Sequence, residues 1–547
     1  MNNDTKNDFL KQGFFFLPTI NSDFQFILDV ATDLLKENPQ VLCWIKEDQD
    51  KFSKEEKRLR ILDKQFKEDL TKPLFLEKRI DKVIDTTGKE EIVLKTGRPR
   101  MAPIIVFLFF IFRGYYGNFT QKQNFDFIKE SITIQNWLTQ NGVTKLPGAT
   151  TILENVNKIS SETYEKILTL QCEMIKVEGF DDFNKAFIDS TSVAGNTAYP
   201  TDITMLYKLL FRSTFNAIKL SQLFDNPITE KYFDGWFKEM KKCIFSIAMG
   251  KLKPKKKKKV CKKLFALAEK IQNRLSAKLA EREMEAQKTF VLIKPSHRFR
   301  LEAILKTVKT DLEDSKRVLE YAYKSILEGK KYKSTEKILS ISDANVGFIK
   351  KGSLRTAVIG YKPQVVRSGS GIITAILFPE GNTSDAAELR PVLEQSIKRT
   401  GVVPEMLSTD DGYPSEENLE WLQEVGVETN SFNGAKGRKL TSEEDWESTA
   451  YQIARAERSM IEGLFSTLKT VQGFGKLSRR GLENGKSELL EKVLAQNFYR
   501  IGILRKRREE EIQTKNIKIK KEEEVTIQSV YRVTIKPKQR KDLKIVA

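Results

Sequence analysis

Histidine and cysteine are scarce in this sequence of 547 residues. There is one histidine, His297, and there are four cysteines with no CxxC spacing among them: Cys43, Cys172, Cys243 and Cys261. Zinc sites built on histidine and Ser-His-Asp triads depend on these residue types, so both classes of site are all but excluded. The cysteines predict reduced, unpaired thiols in a cytosolic protein. Chemistry would then rest on carboxylates, hydroxyls and bound metal.

Long apolar runs are also missing. The longest, 104–112, is far shorter than the roughly 20 residues that a membrane-spanning helix needs. The first residues, MNNDTKNDFL, lack the basic and then apolar pattern of a signal peptide. The sequence therefore predicts a cytoplasmic protein without a membrane partner. The apolar run itself is predicted to be buried, as either a helix or a strand.

Positive charge is in excess, because 94 Lys and Arg residues face 74 Asp and Glu residues, for a formal net charge of +20. This balance indicates a polyanionic partner, and nucleic acid is favoured over an acidic membrane surface. The densest positive run is KLKPKKKKKVCKK, 251–263. It is either a solvated, flexible loop between helices or a phosphate-binding segment that adds affinity and salt sensitivity. The candidate phosphate contacts in it are Lys255, Lys256, Lys257 and Lys258.

Two apolar runs lead directly into aspartates. AFI (186–188) precedes Asp189, and an apolar run that begins at Met406 precedes Asp410, which is followed by Asp411 and a glycine. Each pattern predicts a buried strand that presents a carboxylate at its end. Asp411 is the competitor of Asp410; we favour Asp410 because it ends the apolar run and leaves Asp411 for the turn.

A third acid, Glu462, lies in the helical stretch ERSMIEGLFSTLK. Glu457 competes with it. Arg458, four residues before Glu462, and Lys469, seven after it, lie near the same helical face. This face is either an ordinary surface ion pair or a metal-ligating glutamate beside cations that hold DNA phosphates.

The order of predicted elements is β, a large helical insert, β, β, α, β, α, β, α, with GIITAILF and RTAVIGYKPQVV among the strands. The stretch GNTSDAAELRPVLEQSIKRTG predicts a helix capped by Ser384 or Asp385 and ended by Gly401. Without the insert, these elements form an RNase H-like mixed α/β sheet flanked by helices. The three acids then fall at the ends of the first and fourth strands and on the last helix. There they could hold two Mg²⁺ ions about 3.5–4 Å apart, with oxygen ligands alone.

The chain divides into five predicted parts. They are a helical N-terminal region (1–95), a helical region assigned to DNA-end binding (96–180), the RNase H-like catalytic domain (181–204 and 338–504), a helical insertion domain (205–337) and a basic tail (505–547). Arg98 and Arg100 lie in an arm that either enters a DNA minor groove or forms an interdomain turn. The tail is predicted to be disordered or a docked β-hairpin, with auxiliary DNA contact as the alternative.

Four stretches carry a family resemblance: DSTSVAGNTAYPTD, TDDGYPSEENLEWL, GYKPQVV and ERSMIEGLFSTLKTVQGFGKLSRRG. They resemble DDE transposases of prokaryotic insertion sequences, over roughly 147–500 apart from the insert. The resemblance implies that Asp189, Asp410 and Glu462 are the DDE triad and that they bind two Mg²⁺ ions, for which Mn²⁺ could substitute.

The resemblance also places three residues close to DNA: Tyr413, Arg458 and Lys469. It implies cleavage at terminal inverted repeats and joining of the freed 3′-hydroxyls to double-stranded target DNA. A homodimer assembled on DNA, associated with the nucleoid of a prokaryote, would be the acting form.

Two other functions stay open. One is an RNase H-like nuclease that hydrolyses DNA without joining it. The other is a catalytically inert DNA-binding protein derived from a transposase, against which the three intact acids argue. Inverted repeats flanking the gene would favour the transposase over the nuclease.

Overall fold

A computed structural model of the chain describes residues 22–51, 58, 62, 101–197, 201–222, 227–249, 252–291, 294–350 and 357–534. Before the first strand the chain is helical, and residues 40–51 form one of the helices. The other helices of this part are α1 (Ser22–Glu37), α2 (Pro103–Tyr115), α3 (Gln121–Glu130), α4 (Ile132–Gln140), α5 (Ala149–Val156) and α6 (Ser161–Val177).

The longest apolar run forms α2, which settles the choice between helix and strand. Pro103 occupies its first turn, where the missing N–H costs nothing, and every residue from 104 to 112 is buried. A helix that is apolar on all sides belongs in a core. The rings of Phe107 and Phe110 pack edge-on against Phe498 and Tyr164, at centroid distances of 6.3 and 5.1 Å.

The main sheet has five strands in the order β6-β5-β1-β7-β8. Strand β1 is antiparallel to β5, β5 is antiparallel to β6, and β1, β7 and β8 run parallel. This mixed sheet with helices around it confirms the predicted RNase H-like fold class. Its strands are β1 (Lys185–Ser190), β5 (Gln364–Ser368), β6 (Ile373–Leu377), β7 (Met406–Thr409) and β8 (Thr429–Phe432).

A second, three-stranded sheet was not predicted. Its order is β2-β4-β3, with β2 (Val193–Ala194), β3 (Gly347–Ile349) and β4 (Val358–Tyr361). The prediction of a single strand in RTAVIGYKPQVV is therefore wrong, because β4 and β5 belong to different sheets. Pro363 stands between them, and a proline has no N–H to continue a ladder of hydrogen bonds.

The predicted helical insert is present between β2 and β3. It comprises α7 (Asp202–Ser221), α8 (Lys231–Met249), α9 (Pro254–Val291) and α10 (Pro295–Tyr323), then a π-helix (Lys324–Glu328) and a 3-10 helix (Ser334–Glu336). These helices enclose a hydrophobic core of their own, which includes Leu206, Phe233, Leu264 and Val318. The loop interpretation of the lysine run is wrong from Pro254 onward, because this residue begins α9.

Helices alternate with the later strands. They are α11 (Asp385–Thr400), α12 (Glu416–Val425), α13 (Ala435–Leu440), α14 (Glu443–Glu447), α15 (Thr449–Glu457), α16 (Ser459–Thr470) and α17 (Leu482–Thr534). The prediction for α11 is confirmed: Ser384 caps its start and Gly401, with a φ of 69°, ends it. None of the helices in the described ranges is long and apolar enough to cross a membrane.

The tail prediction is wrong for residues 505–534, because α17 continues through them. The alternation of charged and apolar residues predicts either disorder or a docked β-hairpin. The stretch is rich in Arg, Lys, Glu and Gln, all of which have high helix propensity. Residues 535–547 lie outside the described part.

One buried carboxylate ties α17 to the helical N-terminal part. Glu491 is 1% exposed and accepts hydrogen bonds from Arg113 Nε at 2.9 Å and Nη2 at 2.7 Å. The Tyr164 hydroxyl donates to it at 2.7 Å, and Arg479 pairs with it as well. Helix α2 comes close at this point, since a Cβ added to Gly114 would lie 2.2 Å from the Glu491 carbonyl oxygen. The charge is therefore buried but well compensated.

Replacing this carboxylate should destabilise the whole protein. Glu491→Gln removes the carboxylate that pairs with Arg113 and Arg479, and breaking a buried ion pair from one side typically costs about 3–5 kcal/mol. Urea unfolding followed by circular dichroism measures the effect. Glu509→Gln, at an exposed position of the same helix, is the matched control and should change the free energy of unfolding by less than about 0.5 kcal/mol. Equal midpoints for the two variants would contradict this role of Glu491.

Candidate active site

The pairing of β1 with β7 brings two of the predicted acids to one place. The register is parallel, with Phe187 opposite Ser408, and its continuation by two residues sets Asp189 beside Asp410. Neighbouring strands lie about 4.8 Å apart, and residues an even number apart point to the same face. The two carboxylates therefore leave the same end of the sheet on the same side.

The hydrophobic cores show which side this is. Phe187 and Met406 belong to the central core, which also contains Ile461, Leu464, Phe465 and Leu468 of α16. Ala186, Ile188 and Leu407 belong to an outer core on the opposite face, formed with α11 and α12. Because side chains alternate along a strand, Asp189 and Asp410 lie on the face that α16 covers. The third acid, Glu462, sits in the first turn of this helix.

The three acids have different surroundings. Asp189 is buried, and its Oδ1 accepts a hydrogen bond from the Ser190 N–H at 2.6 Å. Asp410 Oδ1 accepts one from the Gly412 N–H at 2.9 Å. The side chain of Glu462 is 58% exposed and pairs with Arg458 Nη2 at 2.6 Å.

The ligand types fit a hard divalent cation, which prefers carboxylate oxygens. In the arrangement described, however, no three His, Cys, Asp or Glu side chains of the described residues lie close enough to hold one ion. Two of the acids share an edge by register, while Glu462 is turned to Arg458. Asp189, Asp410 and Glu462 therefore stay the predicted metal ligands: their oxygen atoms suit a hard cation, but the described arrangement does not gather all three around one position.

The two competing acids have structural partners. Asp411 Oδ1 accepts hydrogen bonds from the N–H groups of Lys436 at 2.8 Å and Gly437 at 3.3 Å, at the start of α13. Glu457 pairs with Lys185 Nζ at 2.9 Å. These contacts give Asp411 a structural role at the start of α13, whereas Glu457 and Glu462 each pair with a basic side chain, so the choice of Glu462 stays a prediction.

A buried polar network lies beside the strand-end aspartates, and sequence reasoning missed it. Asp385, at the start of α11, pairs with Lys362 Nζ at 2.8 Å and accepts a hydrogen bond from Gln364 Nε2 at 2.9 Å. A Cβ added to Gly412 would lie 2.7 Å from Asp385 Oδ2 and 3.0 Å from Asp410 Oδ1, so these carboxylates flank one glycine. The available signal was the stretch GYKPQVV, whose lysine and glutamine had no assigned role.

Tyr413 belongs to this network and not to the surface. Its side chain is fully buried, and its hydroxyl donates a hydrogen bond to Gln364 Oε1. Burial first, and then the negative charges of Asp385, Asp189 and Asp410, raise the pKa of the Tyr413 hydroxyl well above its ordinary value, so it stays a neutral donor. Tyr413 is thus buried against Gln364 in this structure, and its contact with DNA stays a prediction.

The other predicted DNA contacts are spread over the molecule. Lys469 is half-buried on α16. The lysines of the run are exposed in the first turns of α9, and Lys258 Nζ also donates to the Leu327 carbonyl oxygen at 2.9 Å. Arg98 and Arg100 lie outside the described residues.

The sheet order and the strand-end aspartates define an α/β protein of the RNase H-like class. Residues 347–498 match the family described as Transposase DDE domain, a stretch that includes Asp410 and Glu462 but not Asp189. No curated protein and no solved structure matches the chain. The match of residues 347–498 to a transposase DDE domain supports the resemblance to DDE transposases.

The Lys362–Asp385 pair makes a testable contribution to stability. Burial alone would raise the pKa of the Asp385 carboxyl, but the hydrogen bonds from Lys362 and Gln364 outweigh it, so the pKa lies below its ordinary value. Asp385→Asn should lower the free energy of unfolding by about 1–3 kcal/mol at neutral pH, since a hydrogen-bonded buried charge is removed. Because its pKa is depressed in the folded state, the ionised Asp385 carboxyl stabilises the fold at any pH above its ordinary pKa, near 3.9. This stabilisation disappears as the pH falls through the lower folded-state pKa.

The difference in the free energy of unfolding between wild type and Asp385→Asn should therefore stay constant from about pH 8 to about pH 5 and shrink below about pH 4. Urea unfolding across this pH series is the measurement. Asp234→Asn, which alters an exposed acid of the insert, is the control and should have little effect at any pH. A difference that grows on acidification would contradict the assignment.

Proposed function

We propose that this protein is a transposase that binds the terminal inverted repeats of an insertion sequence and catalyses Mg²⁺-dependent DNA cleavage and strand transfer. The observation that carries the proposal is the parallel register of β1 and β7, which sets Asp189 beside Asp410 within a chain that has a transposase DDE domain. Glu462, on the helix that covers the same face, completes the set of acids.

In this proposal Asp189, Asp410 and Glu462 hold two Mg²⁺ ions, or Mn²⁺ in their place. When bound, such ions activate the attacking oxygen and stabilise the leaving oxygen of a phosphodiester. The chain's own residues prepare the site. The ends of strands β1 and β7 position the two aspartates. The hydrogen bond between Tyr413 and Gln364 stabilises the buried side of this sheet edge.

Arg458 has a double role in the proposal. It now donates to Glu462, and a guanidinium can equally donate to a DNA phosphate. Phosphate binding to Arg458 would release the Glu462 carboxylate for metal binding. Substrate DNA would thereby complete its own active site.

The remaining cations supply affinity along the DNA backbone. They are Lys469 on α16, Lys255, Lys256, Lys257 and Lys258 on α9, and the arm residues Arg98 and Arg100. Phosphate contacts position a protein on DNA but do not read its sequence. We also propose the five-part division of the chain, a homodimer on DNA, and nucleoid association in a prokaryotic cytoplasm.

A nuclease without strand transfer would use the same three acids, and an inert descendant would keep the fold alone. Incubating the protein with labelled element ends and a plasmid target separates the three cases. Joined products support the transposase, cut but unjoined ends support the nuclease, and neither product supports the inert protein. Inverted repeats beside the gene would supply the element ends to be tested.

Removing any one of the proposed triad should abolish cleavage while leaving DNA binding largely intact. The variants are Asp189→Ala, Asp410→Ala and Glu462→Ala, assayed for Mg²⁺-dependent cleavage and for binding by gel shift. Asp411→Asn and Glu457→Gln are matched controls, because each alters an adjacent competing acid that has a structural partner. A triad variant that cuts at the wild-type rate would remove its residue from the site.

Neutralising the lysines of α9 should weaken DNA binding and flatten its dependence on salt. For duplex DNA, the slope of log K against log[salt] becomes shallower by about 0.9 for each phosphate that the protein no longer neutralises. Lys255–Lys259 changed together to glutamine are measured by fluorescence anisotropy across a salt series. Four exposed lysines elsewhere on the insert, Lys238, Lys242, Lys309 and Lys316, changed together to glutamine provide the comparison. An unchanged slope would make the run an ordinary solvated surface.

A further inference from the structure

Three aromatic side chains form a ladder on the outside of α7. Tyr207, Phe211 and Phe215 follow one another at intervals of four residues and therefore share one helical face. The first pair of rings is stacked with centroids 5.9 Å apart and planes at 16°, and the second with centroids 6.4 Å apart and planes at 7°. We call this set the aromatic ladder.

The ladder is open to solvent, although its rings are apolar. Phe211 is 47% and Phe215 is 43% exposed. Contiguous exposed apolar surface can mark an interaction site, whereas single exposed apolar residues are normal. Phe237 of α8 packs edge-on against both Tyr207 and Phe211, with centroids 5.7 and 5.5 Å apart, so the rings are held in place from below.

Cations flank the aromatic ladder. Lys219 Nζ lies 4.5 Å from the Phe215 ring centroid, and Lys241 Nζ lies 6.0 Å from that of Tyr207. A groove of about 380 Å³ borders Tyr207 and Phe211, and no acid is found among the described residues that line it. Its basic side chains are Lys208, Arg212 and Arg480, and of these Arg212 is paired with Asp311. The surface therefore combines planar apolar faces with positive charge.

The same groove is connected to the strand that carries Asp189. Asn196 and Thr197, which follow this strand closely, form part of its wall. Asn196 Nδ2 donates to the Ser478 carbonyl oxygen at 2.5 Å, and this contact joins the segment to the loop before α17. DNA bound at the sheet edge could thus extend along the groove.

We propose that the aromatic ladder binds unpaired bases of single-stranded DNA, with the neighbouring lysines on the phosphates. Every base has a face that stacks on an aromatic ring, and a groove with cations beside such rings fits a single strand. In a duplex the faces of the bases are covered by neighbouring bases, so the aromatic ladder selects unpaired DNA over duplex DNA. This inference deepens the proposed function, on which its choice of DNA as the partner rests.

The test is a binding measurement on the full chain in EDTA, where no cleavage takes place. Anisotropy of a labelled dT oligonucleotide is compared with that of a duplex carrying the same number of phosphates. The double variant Phe211→Ala with Phe215→Ala should lose about 10-fold or more in affinity for dT and change duplex affinity less than about 2-fold. Its salt slope should match the wild type, because the lysines that bind phosphate are unchanged.

Three further variants sharpen the result. Phe299→Ala, at a phenylalanine of α10 that is 57% exposed, is the matched control and should bind dT normally. Phe211→Trp with Phe215→Trp should keep the affinity for dT, since tryptophan also stacks. Lys219→Gln with Lys241→Gln should lower the salt slope for dT by about 0.7 for each phosphate that the two lysines neutralise in the wild type.

If the double alanine variant lost affinity equally for dT and for duplex DNA, or lost none for dT, the inference would be overturned. A double alanine variant that turns a dimer into a monomer in sedimentation, at unchanged dT affinity, would assign the ladder to contact between copies of this chain. Asp189→Ala should bind dT like the wild type. Failure of catalysis is therefore separate from failure of the ladder, because the binding result stands whether or not the protein cuts DNA.

Discussion

The parallel pairing of β1 with β7 is the constraint on which the site depends. It joins two segments more than two hundred residues apart and aligns their terminal aspartates. The long connection costs little for its length, because loop-closure entropy grows only logarithmically, by about 0.6 kcal/mol for each doubling. The insert also buries its own core around residues such as Leu206 and Leu264, so it adds a folded unit to the connection. The register itself is fixed by burial on both faces: a slip of one residue would turn Phe187 into the outer core and Ile188 into the central one.

Helix α17 makes the covering of that sheet possible. Its apolar face, with Leu490, Val493, Leu494 and Phe498, lies in the same central core as α2 and as the helix that carries Glu462. The polar contacts of Glu491 then add direction to this non-directional packing, because the bidentate bond from Arg113 allows one position of α2 along α17. A buried charge of this kind adds less to stability than apolar packing would, and its contribution here is specificity of placement. The third acid, Glu462, can lie near the strand-end aspartates only if α16 packs against β1.

Much of the fold was predictable because its signals are local. The apolar run into Asp189 and the capping serine and terminal glycine of α11 follow from residues close in sequence. The failures have a common physical cause, which is that partners far apart in sequence decided the outcome. The burial of Tyr413 depends on Gln364 and Asp385, which sequence reasoning had no means to bring together. The same holds for the helical tail, whose first turns are anchored when Arg505 bonds to Glu178 and Asp33. At the site, the residue types and the Arg458–Glu462 ion pair could be foreseen from local spacing, whereas the register of β1 against β7 and the Lys362–Asp385 pair join residues that are far apart in sequence.

Polar contacts join the two ends of the insert and connect α7 to the segment that precedes β3. Asp202, in the first turn of α7, pairs at 2.9 Å with Lys337, which follows the last helix of the insert. This ion pair joins the start and the end of the insert. Higher on α7, Arg212 pairs with the buried Asp311 of α10 and also donates to the Ile341 carbonyl oxygen at 3.3 Å. Helix α7 begins thirteen residues after Asp189 in the sequence. In the proposed function, the acids at the sheet edge act on the phosphodiester backbone, whereas the rings of the aromatic ladder stack on bases and the flanking lysines contact phosphates. A nucleic acid bound at both places would present its backbone at the sheet edge and unpaired bases at the ladder, and the stacked bases of a continuous duplex do not offer the second contact.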